Sequence, residues 1–525
     1  GLEWVLNFHK NDSANTSMPL EMIEGANEYY EYTKTLSKEE AYALTAGEGS
    51  TFLEMVGVEV PDDYTIVYHC INPKPYFDSV ATYACLFPIS QAMVDELGGP
   101  DGVRAMNNET MWYNGPYLMT SYIQGNEKMQ TKNPKYWDTE CTLFDTVTIK
   151  MVESTDIAFQ LYQAGELDYV ALTESNLTTI YNDENNEFHD YLVEKLPTKY
   201  SWQIHFNFAK NNEDGTPDNN WNLAVANEAF RLSWYYGLDL KEYYSRLNAI
   251  NPMSCENDTY TMDGLCYTSD GTDYTQLVKQ ELGITENGET PARVDATKAE
   301  EYKQKAKEEL TAAGVTFPIQ MDYYIAGSNQ TALDTATVLA QCISDSMGDD
   351  FVVLNIKTYI SSVAKEVRNP QLQSFVINGW GADYGDPVNF VGQEILHDDN
   401  AYYSWYYSNI AKIVEAGPAD WQKDLVACYE EFTDLVNTAK AIVDDTDARY
   451  AAFAKAEASM LNNVLACPCY FDVSWTLTHA NEYSKINAMY GPCNYKAVNW
   501  ETSEEAYTTE QYEEFAAAFD AATKA

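Results

Sequence analysis

Strand-like and helix-like segments alternate along the chain from about Trp202, and this alternation constrains the fold more than any other feature. Five successive segments read FPIQMDYYIAG, TALDTATVLAQCISDSM, FVVLNIKTY, SSVAKEVRN and QSFVINGWGADY, which predict strand, helix, strand, helix and strand. A helix between two strands indicates a βαβ crossover, and such crossovers produce a sheet with substantial parallel character. A helical stretch over residues 419–464, broken at 444–445, is predicted to pack on this sheet.

The preceding part of the chain predicts a second α/β unit. A surface helix is predicted over residues 19–46, and period-2 alternation on either side of Gly125 and Asn126 predicts a hairpin. FDTVTIKMVE predicts a strand, and STDIAFQLYQAGEL predicts a short helix capped by Ser154 or Thr155. YSWQIHFNFA predicts a strand that passes between the units, and the C-terminal segment is predicted to return to the first one. Two α/β lobes joined by crossover strands form a hinge and a cleft.

The charge balance excludes one class of partner. The 525 residues include 32 Lys and Arg against 81 Asp and Glu, which gives a formal net charge of −49. A polyanion without a basic stripe repels phosphate backbones, so we expect no nucleic-acid partner. No run of apolar residues is long enough to predict a membrane span. The N-terminus lacks a signal-peptide pattern and reads as a helix entered partway, so we expect that the chain is not the whole gene product.

Two cysteine pairs attract interest among the ten cysteines. Cys255 and Cys266 close a polar loop of the kind that extracellular proteins staple with a disulfide. Cys467 and Cys469 lie in a strand-like run with no CxxC motif or histidine partner nearby. We therefore interpret them as two small buried side chains rather than as a metal or redox pair.

Signatures of catalysis are missing from the sequence. The six histidines never occur at i and i+4, and no G-x-S-x-G elbow or Walker loop is present. GWGADYG at 379–385 follows a predicted strand, but its glycine spacing is wrong for a dinucleotide turn, and Asp383 and Asp386 would repel a pyrophosphate. We expect neither a cofactor nor an enzyme. A hydrolase with a carboxylate pair stays an alternative, since 81 acidic residues single out no pair.

Six motifs occur in order along nearly the whole chain. They are NGPY at 114–117, KNPKYW at 132–137, AFQLYQAGELD at 158–168, FR at 230–231 with GLD at 237–239, GWGADY at 379–384 with DP at 386–387, and RY at 449–450 with AE at 456–457. In this order the chain resembles the oligopeptide and dipeptide solute-binding proteins of ABC importers, family 5, the large three-domain class. The strand-rich N-terminal portion of that family has no match in this sequence.

The resemblance implies the architecture. It implies a two-lobed periplasmic-binding-protein-like α/β fold of type II, with a hinge and a ligand cleft between the lobes. Residues 1–110 would form part of a small second domain, 111–201 and 470–525 an incomplete first lobe, and 202–469 the second lobe. The signal peptide and the lipid-anchoring cysteine usual in Gram-positive relatives would lie in the unmatched N-terminal portion. We therefore expect an extracellular protein, either a cell-surface lipoprotein or periplasmic.

The resemblance also implies a ligand site around the GWGADY motif. In the family, an Asp on the strand that lines the cleft takes the α-amino group of the ligand, and by motif this position is Asp383. Gly379, Trp380 and Gly381 would supply backbone groups that pair with the peptide as an added strand. Tyr384 fits a stacking partner for the ligand, but packing explains a single aromatic residue better in a chain with 14% aromatics. The alternative is that Asp383 caps a turn before the proline and that Trp380 is ordinary core.

Four further residues are weaker candidates. Asn114 and Tyr117 are predicted to face the cleft from the first lobe, although an Asn-Gly-Pro turn explains them equally well. Arg231 fits an anion partner for the ligand carboxylate, but its place in a helix favours a structural salt bridge. Trp405 fits a stacking platform, but packing explains a single aromatic residue better in a chain with 14% aromatics.

The expected function is that of a non-catalytic, monomeric binding protein that captures short peptides and delivers them to a membrane permease of an ABC transporter. The same fold could instead bind an oligosaccharide, a nickel complex or haem. A sugar site needs aromatic platforms and no carboxylate for an amine, so Asp383 favours a peptide.

Overall fold

The N-terminal region consists of short helices and one hairpin. The computed structural model describes residues 1–11, 16–140, 142–152, 155–195, 198–285, 288–485, 497 and 500–523. The elements of this region are α1 (Leu2–Leu6), α2 (Ser17–Met22), α3 (Ala26–Lys34), α4 (Lys38–Tyr42), α5 (Thr51–Met55), β1 (Val58–Asp62), β2 (Thr65–Tyr68), α6 (Phe77–Val80), α7 (Gln91–Glu96) and α8 (Pro100–Arg104).

The prediction of a single surface helix over residues 19–46 is wrong, because the segment forms three helices. α2 ends where Ile23 adopts an extended conformation, and Gly25, left-handed with φ of 68°, is the N-cap of α3. Ser37 then caps α4 with a reciprocal pair of hydrogen bonds to Glu40. A left-handed glycine and a capping box thus each start a new helix within the segment.

A three-stranded antiparallel sheet follows, and it confirms the predicted hairpin. Its strands are β3 (Tyr117–Ile123), β4 (Glu127–Lys132) and β5 (Thr146–Lys150), in the order β3-β4-β5. Gly125 occupies the hairpin turn with φ of 70°, a conformation that favours glycine. The next elements are α9 (Thr155–Gln163), β6 (Tyr169–Ala171), α10 (Glu174–Tyr181) and β7 (Val193–Glu194). Ser154, one of the two predicted caps of α9, lies outside the described residues.

The remaining elements form the larger α/β part of the molecule and a C-terminal return. They are β8 (Tyr200–Phe206), α11 (Asn219–Ala226), α12 (Glu228–Gly237), α13 (Lys241–Ser245), α14 (Tyr274–Leu282), α15 (Ala296–Ala312), β9 (Ile319–Ala326), α16 (Gln330–Met347), β10 (Val352–Tyr359), β11 (Phe375–Gly381), α17 (Val388–Val391), α18 (Tyr402–Tyr406), α19 (Ile410–Ala416), α20 (Lys423–Lys440), α21 (Thr446–Asn462), β12 (Cys467–Phe471), β13 (Trp475–Thr478), β14 (Ala480–Asn481), β15 (Glu501–Thr502) and α22 (Thr509–Thr523).

The predicted parallel sheet is correct for one pair of strands only. β9 and β10 pair in parallel through the crossover helix α16. β11 instead pairs antiparallel with β8, and β12 pairs antiparallel with the other edge of β8. β8 precedes the strand–helix alternation in the chain, yet it is the strand that pairs with β11. The local pattern had predicted a neighbouring crossover strand as that partner. The helix predicted over SSVAKEVRN is a short π-helical turn, Ala364–Arg368.

Two lobes result from this arrangement, as predicted. β13 pairs with both β6 and β7, so a C-terminal strand lies in a sheet with residues 169–171 and 193–194. The connections from β7 to β8 and from β12 to β13 link this sheet to the larger lobe. A small apolar cluster around Tyr162, Leu192 and Leu477 forms its core, separate from the main core.

Aromatic side chains fill the main core. Trp234 is fully buried and meets Phe206 of β8 and Phe375 of β11 edge to face, with ring centroids 5.5 and 5.6 Å apart. Trp221 donates from its indole nitrogen to the Asn207 carbonyl at 2.7 Å, which satisfies the polar atom of a buried ring. Each such ring contributes roughly 1.5–3 kcal/mol of burial free energy. The cluster holds β8 and β11 against α12.

Of the two predictions about cysteine pairs, one is wrong and one is confirmed. Cys255 and Cys266 are both buried free thiols, so the suggested disulfide is not formed. Both are packed in the main core, where a small apolar side chain is stable without a cross-link. Cys467 and Cys469 are fully buried on β12, where the register shifts between Pro468 and Tyr470. They behave as the small buried side chains that we expected.

None of the helices in the described part of the chain combines the length and apolar character that crossing a bilayer requires.

Candidate functional site

A buried ion pair anchors the turn after β11 to the larger lobe. Asp386 accepts two hydrogen bonds from Arg449 of α21, from Nε to Oδ2 at 2.7 Å and from Nη2 to Oδ1 at 2.9 Å. Both side chains are almost fully buried. The same guanidinium donates to the carbonyls of Ala439, Lys440 and Ile442 at the end of α20. The ion pair therefore joins the turn to two helices.

Asn389 fixes the two side chains of the motif that carry chemistry. Its Oδ1 accepts from the Trp380 indole nitrogen and from the Asp383 backbone N–H, each at 3.0 Å. Its Nδ2 donates to Asp383 Oδ2 at 3.4 Å. Asn389 is buried, so these bonds are shielded from water. Sequence analysis did not identify this residue, although its position two residues after a proline at a helix start marks it as a turn-stabilising amide.

A cavity of about 500 Å³ opens beside this motif. Five predicted site residues line it together: Gly379, Trp380, Gly381, Asp383 and Tyr384. Residues of α2, Tyr200 of β8 and Tyr402 of α18 complete the lining. The further lining residues of the cavity are Ser17, Met18, Glu21, Tyr200, Asn389, Gln393, Asn400 and Tyr402. The volume fits a few amino-acid residues or another small ligand.

The glycines of β11 accommodate rings of the neighbouring strand. A Cβ added at Gly379 would lie 2.7 Å from the Trp202 indole, and one added at Gly381 would lie 2.7 Å from the Tyr200 ring. Gly379 pairs with Trp202 and Gly381 with Tyr200 across the antiparallel register. Both rings lie flat against the glycine backbone, so any larger residue would displace them. The packing of these two rings therefore explains why glycine is required at positions 379 and 381.

β11 offers an unpaired backbone edge. Among the described strands it pairs with β8 alone, and Ser374 just before it bonds to Asp322 of β9. In an antiparallel pair, alternate residues direct their N–H and C=O groups away from the partner strand. Those groups are available to hydrogen-bond an extended ligand.

Asp383 places a carboxyl group in the cavity wall. Burial raises the pKa of its carboxyl, while the hydrogen bond from Asn389 and the nearby Lys199 ammonium act in the opposite direction. Lys199 donates to the Ala382 carbonyl at 3.2 Å rather than to the carboxylate. Asp383 has no ion-pair partner among the described residues. A half-buried carboxyl without a cation favours a ligand that brings one.

Stacking on Tyr76 fixes the position of Tyr384 in the cavity wall. The two rings are parallel within 2°, with centroids 4.1 Å apart, and both are buried. Tyr76 precedes α6, so this contact joins the N-terminal region to the larger lobe. One face of the Tyr384 ring is therefore occupied by a residue of the chain.

Asn114 and Tyr117 do not line this cavity. Tyr117 is buried in β3, where its hydroxyl accepts from the Phe144 N–H at 3.3 Å, and Asn114 is exposed just before that strand. Residues of α2, rather than these two, line the cavity together with β11. A ligand role for these two residues stays a prediction.

Arg231 and Trp405 are engaged within the larger lobe. Arg231 is buried and donates to the carbonyls of Val225 and Ala226 at 2.9 and 2.8 Å, which caps the end of α11. It therefore satisfies helix carbonyls instead of forming the salt bridge that we favoured. Trp405 donates from its indole nitrogen to the Asp398 carbonyl at 3.0 Å and lies outside the cavity wall.

Two α/β lobes, with a ligand-sized cavity beside the free edge of a strand, define a two-lobed binding protein of the periplasmic-binding-protein type. The family model described as bacterial extracellular solute-binding proteins, family 5 Middle, matches residues 21–401, and the chain belongs to this family. This is a family of solute-binding proteins.

Individual relatives agree with the family. The oligopeptide-binding protein AmiA of Streptococcus pneumoniae is 23% identical over 447 residues, which are 80% of this chain and 65% of AmiA. The oligopeptide-binding protein SarA of Streptococcus gordonii is 24% identical over 440 residues, which are 79% of this chain and 64% of SarA. The chain thus spans slightly less than two thirds of the length of these relatives.

Solved structures share the fold. Listeria monocytogenes OppA bound to peptide superimposes with a TM-score of 0.63 at 18% identity, covering 97% of this chain and 83% of that one. The Escherichia coli murein tripeptide binding protein MppA gives a TM-score of 0.60 at 16% identity, covering 95% of this chain and 83% of that one.

Proposed function

We propose that this protein is a non-catalytic substrate-binding protein that captures short peptides beside β11 and delivers them to the membrane permease of an ABC transporter. The observation that carries the proposal is the carboxyl of Asp383, half-buried in a ligand-sized cavity with a raised pKa and no ion-pair partner among the described residues. A peptide supplies the missing cation as its α-amino group. The peptide-binding relatives AmiA and SarA support the same ligand class.

Backbone pairing would supply the rest of the affinity. The unpaired edge of β11 presents N–H and C=O groups at the spacing of an extended peptide, and such pairing does not depend on side-chain identity. Trp380, Tyr402 and Tyr200 give the cavity aromatic walls that tolerate varied side chains. Family membership supports the further proposals of an extracellular location, as a cell-surface lipoprotein or a periplasmic protein, and of a monomeric, cofactor-free state.

The test compares trialanine with N-acetyl-trialanine by isothermal titration calorimetry. We expect trialanine to bind and the acetylated peptide, which lacks the ammonium, to bind at least tenfold more weakly. Asp383→Asn should remove this preference, while Asp349→Asn, an exposed site in the same lobe, serves as the matched control. Equal binding of both peptides, or no binding of either, would contradict the proposal.

Two mass-spectrometry experiments distinguish peptide binding from the alternative functions. Recovery of intact trialanine by mass spectrometry after incubation distinguishes a binding protein from a hydrolase. Native mass spectrometry of the purified protein identifies any co-purifying molecule. A mixture of short peptides would support the proposal, whereas an oligosaccharide, a nickel complex or haem would replace it.

A further inference from the structure

A second carboxyl faces the cavity from the N-terminal region. Glu21 lies on α2, whose residues Ser17 and Met18 also line the cavity. It is only partly accessible, and no described residue forms a hydrogen bond or an ion pair with its carboxyl. Sequence analysis did not identify it, because nothing in a short helix some 360 residues from the GWGADY motif indicates that the two meet.

The position of Glu21 is fixed by the packing of its helix. Met22 is almost fully buried, and its carbonyl accepts from the Ile71 N–H at 2.9 Å. Ile23 forms an antiparallel bridge with Cys70, and the Glu24 N–H donates to the His69 carbonyl at 3.0 Å. The backbone on the C-terminal side of Glu21 is thus tied to the segment after β2. The carboxyl is therefore held at the cavity rather than on a mobile surface loop.

Two carboxyl groups and two lysines act on Glu21 together with burial. Burial raises the pKa of Glu21 to about 7; Asp398 and Asp383 contribute in the same direction, while Lys440 and Lys74 oppose them. Glu21 in turn contributes to the raised pKa of Tyr76 and Tyr384. Neither lysine forms an ion pair with it. The carboxyl therefore has no ion-pair partner among the described residues, as Asp383 has none.

Glu21 and Asp383 line the cavity from different elements, α2 and the turn after β11, so an ammonium group that pairs with Asp383 leaves Glu21 available to another cation. If the α-amino group of a peptide occupies Asp383, Glu21 is left facing the ligand near its first side chains. A neutral side chain would leave this carboxyl protonated, whereas a cationic side chain would pair with the ionised form. The additional ion pair is formed only with a basic ligand.

We propose that Glu21 makes the cavity selective for peptides that carry a basic side chain close to their free amino group. The proposal rests on the peptide binding proposed above and adds the side-chain class that the site prefers. Glu21 acts as a specificity-determining residue, and Asp383 as the general amine site.

The test uses lysyl-trialanine and norleucyl-trialanine, which differ only in the terminal ammonium of the first side chain. We expect wild-type protein to bind the lysyl peptide at least tenfold more tightly. Glu21→Gln should abolish the preference for the lysyl peptide. Glu24→Gln makes the same chemical change three residues away, on an exposed side chain outside the cavity, and should keep the preference.

The number of protons released on binding is a second measurement, and it would not change if Glu21 had only a structural role. Because a bound cation favours ionised Glu21, lysyl-trialanine should release a proton near pH 6, detected by calorimetry in two buffers of different ionisation enthalpy. The ratio of the two affinities should rise from pH 5.5 to 7.5 in wild type and stay flat in Glu21→Gln.

The outcomes separate the two proposals. Wild-type protein that binds neither peptide contradicts the proposed function itself. Equal affinities for the two peptides, or a ratio that survives in Glu21→Gln, would overturn the role of Glu21 and leave peptide binding standing. If Glu21→Gln does not fold, the absence of proton release in wild type overturns the inference independently.

Discussion

Arg449 and Asp386 form a buried bidentate ion pair that ties the turn of the GWGADY motif to helices α20 and α21. The two nitrogen–oxygen distances are 2.7 and 2.9 Å, and the side chains are 4% and 2% exposed. The turn also carries Asp383, which has no ion-pair partner among the described residues. One carboxyl of the motif is thus used to build the site, and the other is left for a ligand.

Breaking the Arg449–Asp386 pair should cost far more stability than breaking an exposed pair. Asp386→Asn leaves a buried guanidinium without its counter-charge, so we expect the free energy of unfolding to fall by about 3–5 kcal/mol. Asp420→Asn removes the exposed pair with Lys423 and should cost less than about 1 kcal/mol. Urea denaturation of both variants measures the difference. Similar losses in the two variants would show that the buried pair does not anchor the turn.

Gly379→Ala should destabilise the larger lobe through a clash with Trp202. The added methyl would lie 2.7 Å from the indole, and displacing a packed ring costs about 1–3 kcal/mol. Gly47→Ala is the matched control, because nothing lies within 4 Å of the position that its Cβ would take. The measurement is the denaturation midpoint of each variant. Combining Gly379→Ala with Trp202→Ala should cost less than the sum of the two single changes, and strict additivity would argue against the clash.

Glu457 should make stability fall as the pH rises from about 4.5 to 7. Its fully buried carboxyl on α21 accepts from the N–H groups of Tyr260 and Thr261 at 2.7 and 3.1 Å and from the Tyr274 hydroxyl at 3.0 Å. Burial nevertheless outweighs these bonds and raises the pKa of Glu457 from 4.5 to about 7. The folded state therefore holds a proton that the unfolded state has lost, and this contribution to stability disappears as the pH rises through 7.

The difference in unfolding free energy between wild type and Glu457→Gln isolates this effect. Between pH 4.5 and 7, the free energy of unfolding of wild type should fall relative to that of Glu457→Gln by on the order of 3 kcal/mol, because each pKa unit corresponds to about 1.4 kcal/mol. Glu300→Gln on the exposed face of α15 is the control for the substitution chemistry. A difference that stays constant across this range would contradict the raised pKa.

Local sequence patterns were sufficient for most elements of the larger lobe and for the location of the motif. The strand–helix rhythm predicts β9, α16, β10 and β11, because alternation and helical periodicity depend on residues close in the chain. GWGADY brings its own residues to one cavity wall, since β11 and its turn carry them all.

Tertiary packing decided the partner of β11 and the contribution of α2 to the cavity lining. β8 lies some 175 residues before β11, and α2 precedes it by more than 350, so no local pattern connects them. Burial likewise set the pKa of Glu21, because desolvation depends on what surrounds a carboxyl in three dimensions. Short-range patterns therefore locate β11 and Asp383, while the cavity that gives Asp383 and Glu21 their chemistry arises only when distant segments pack together.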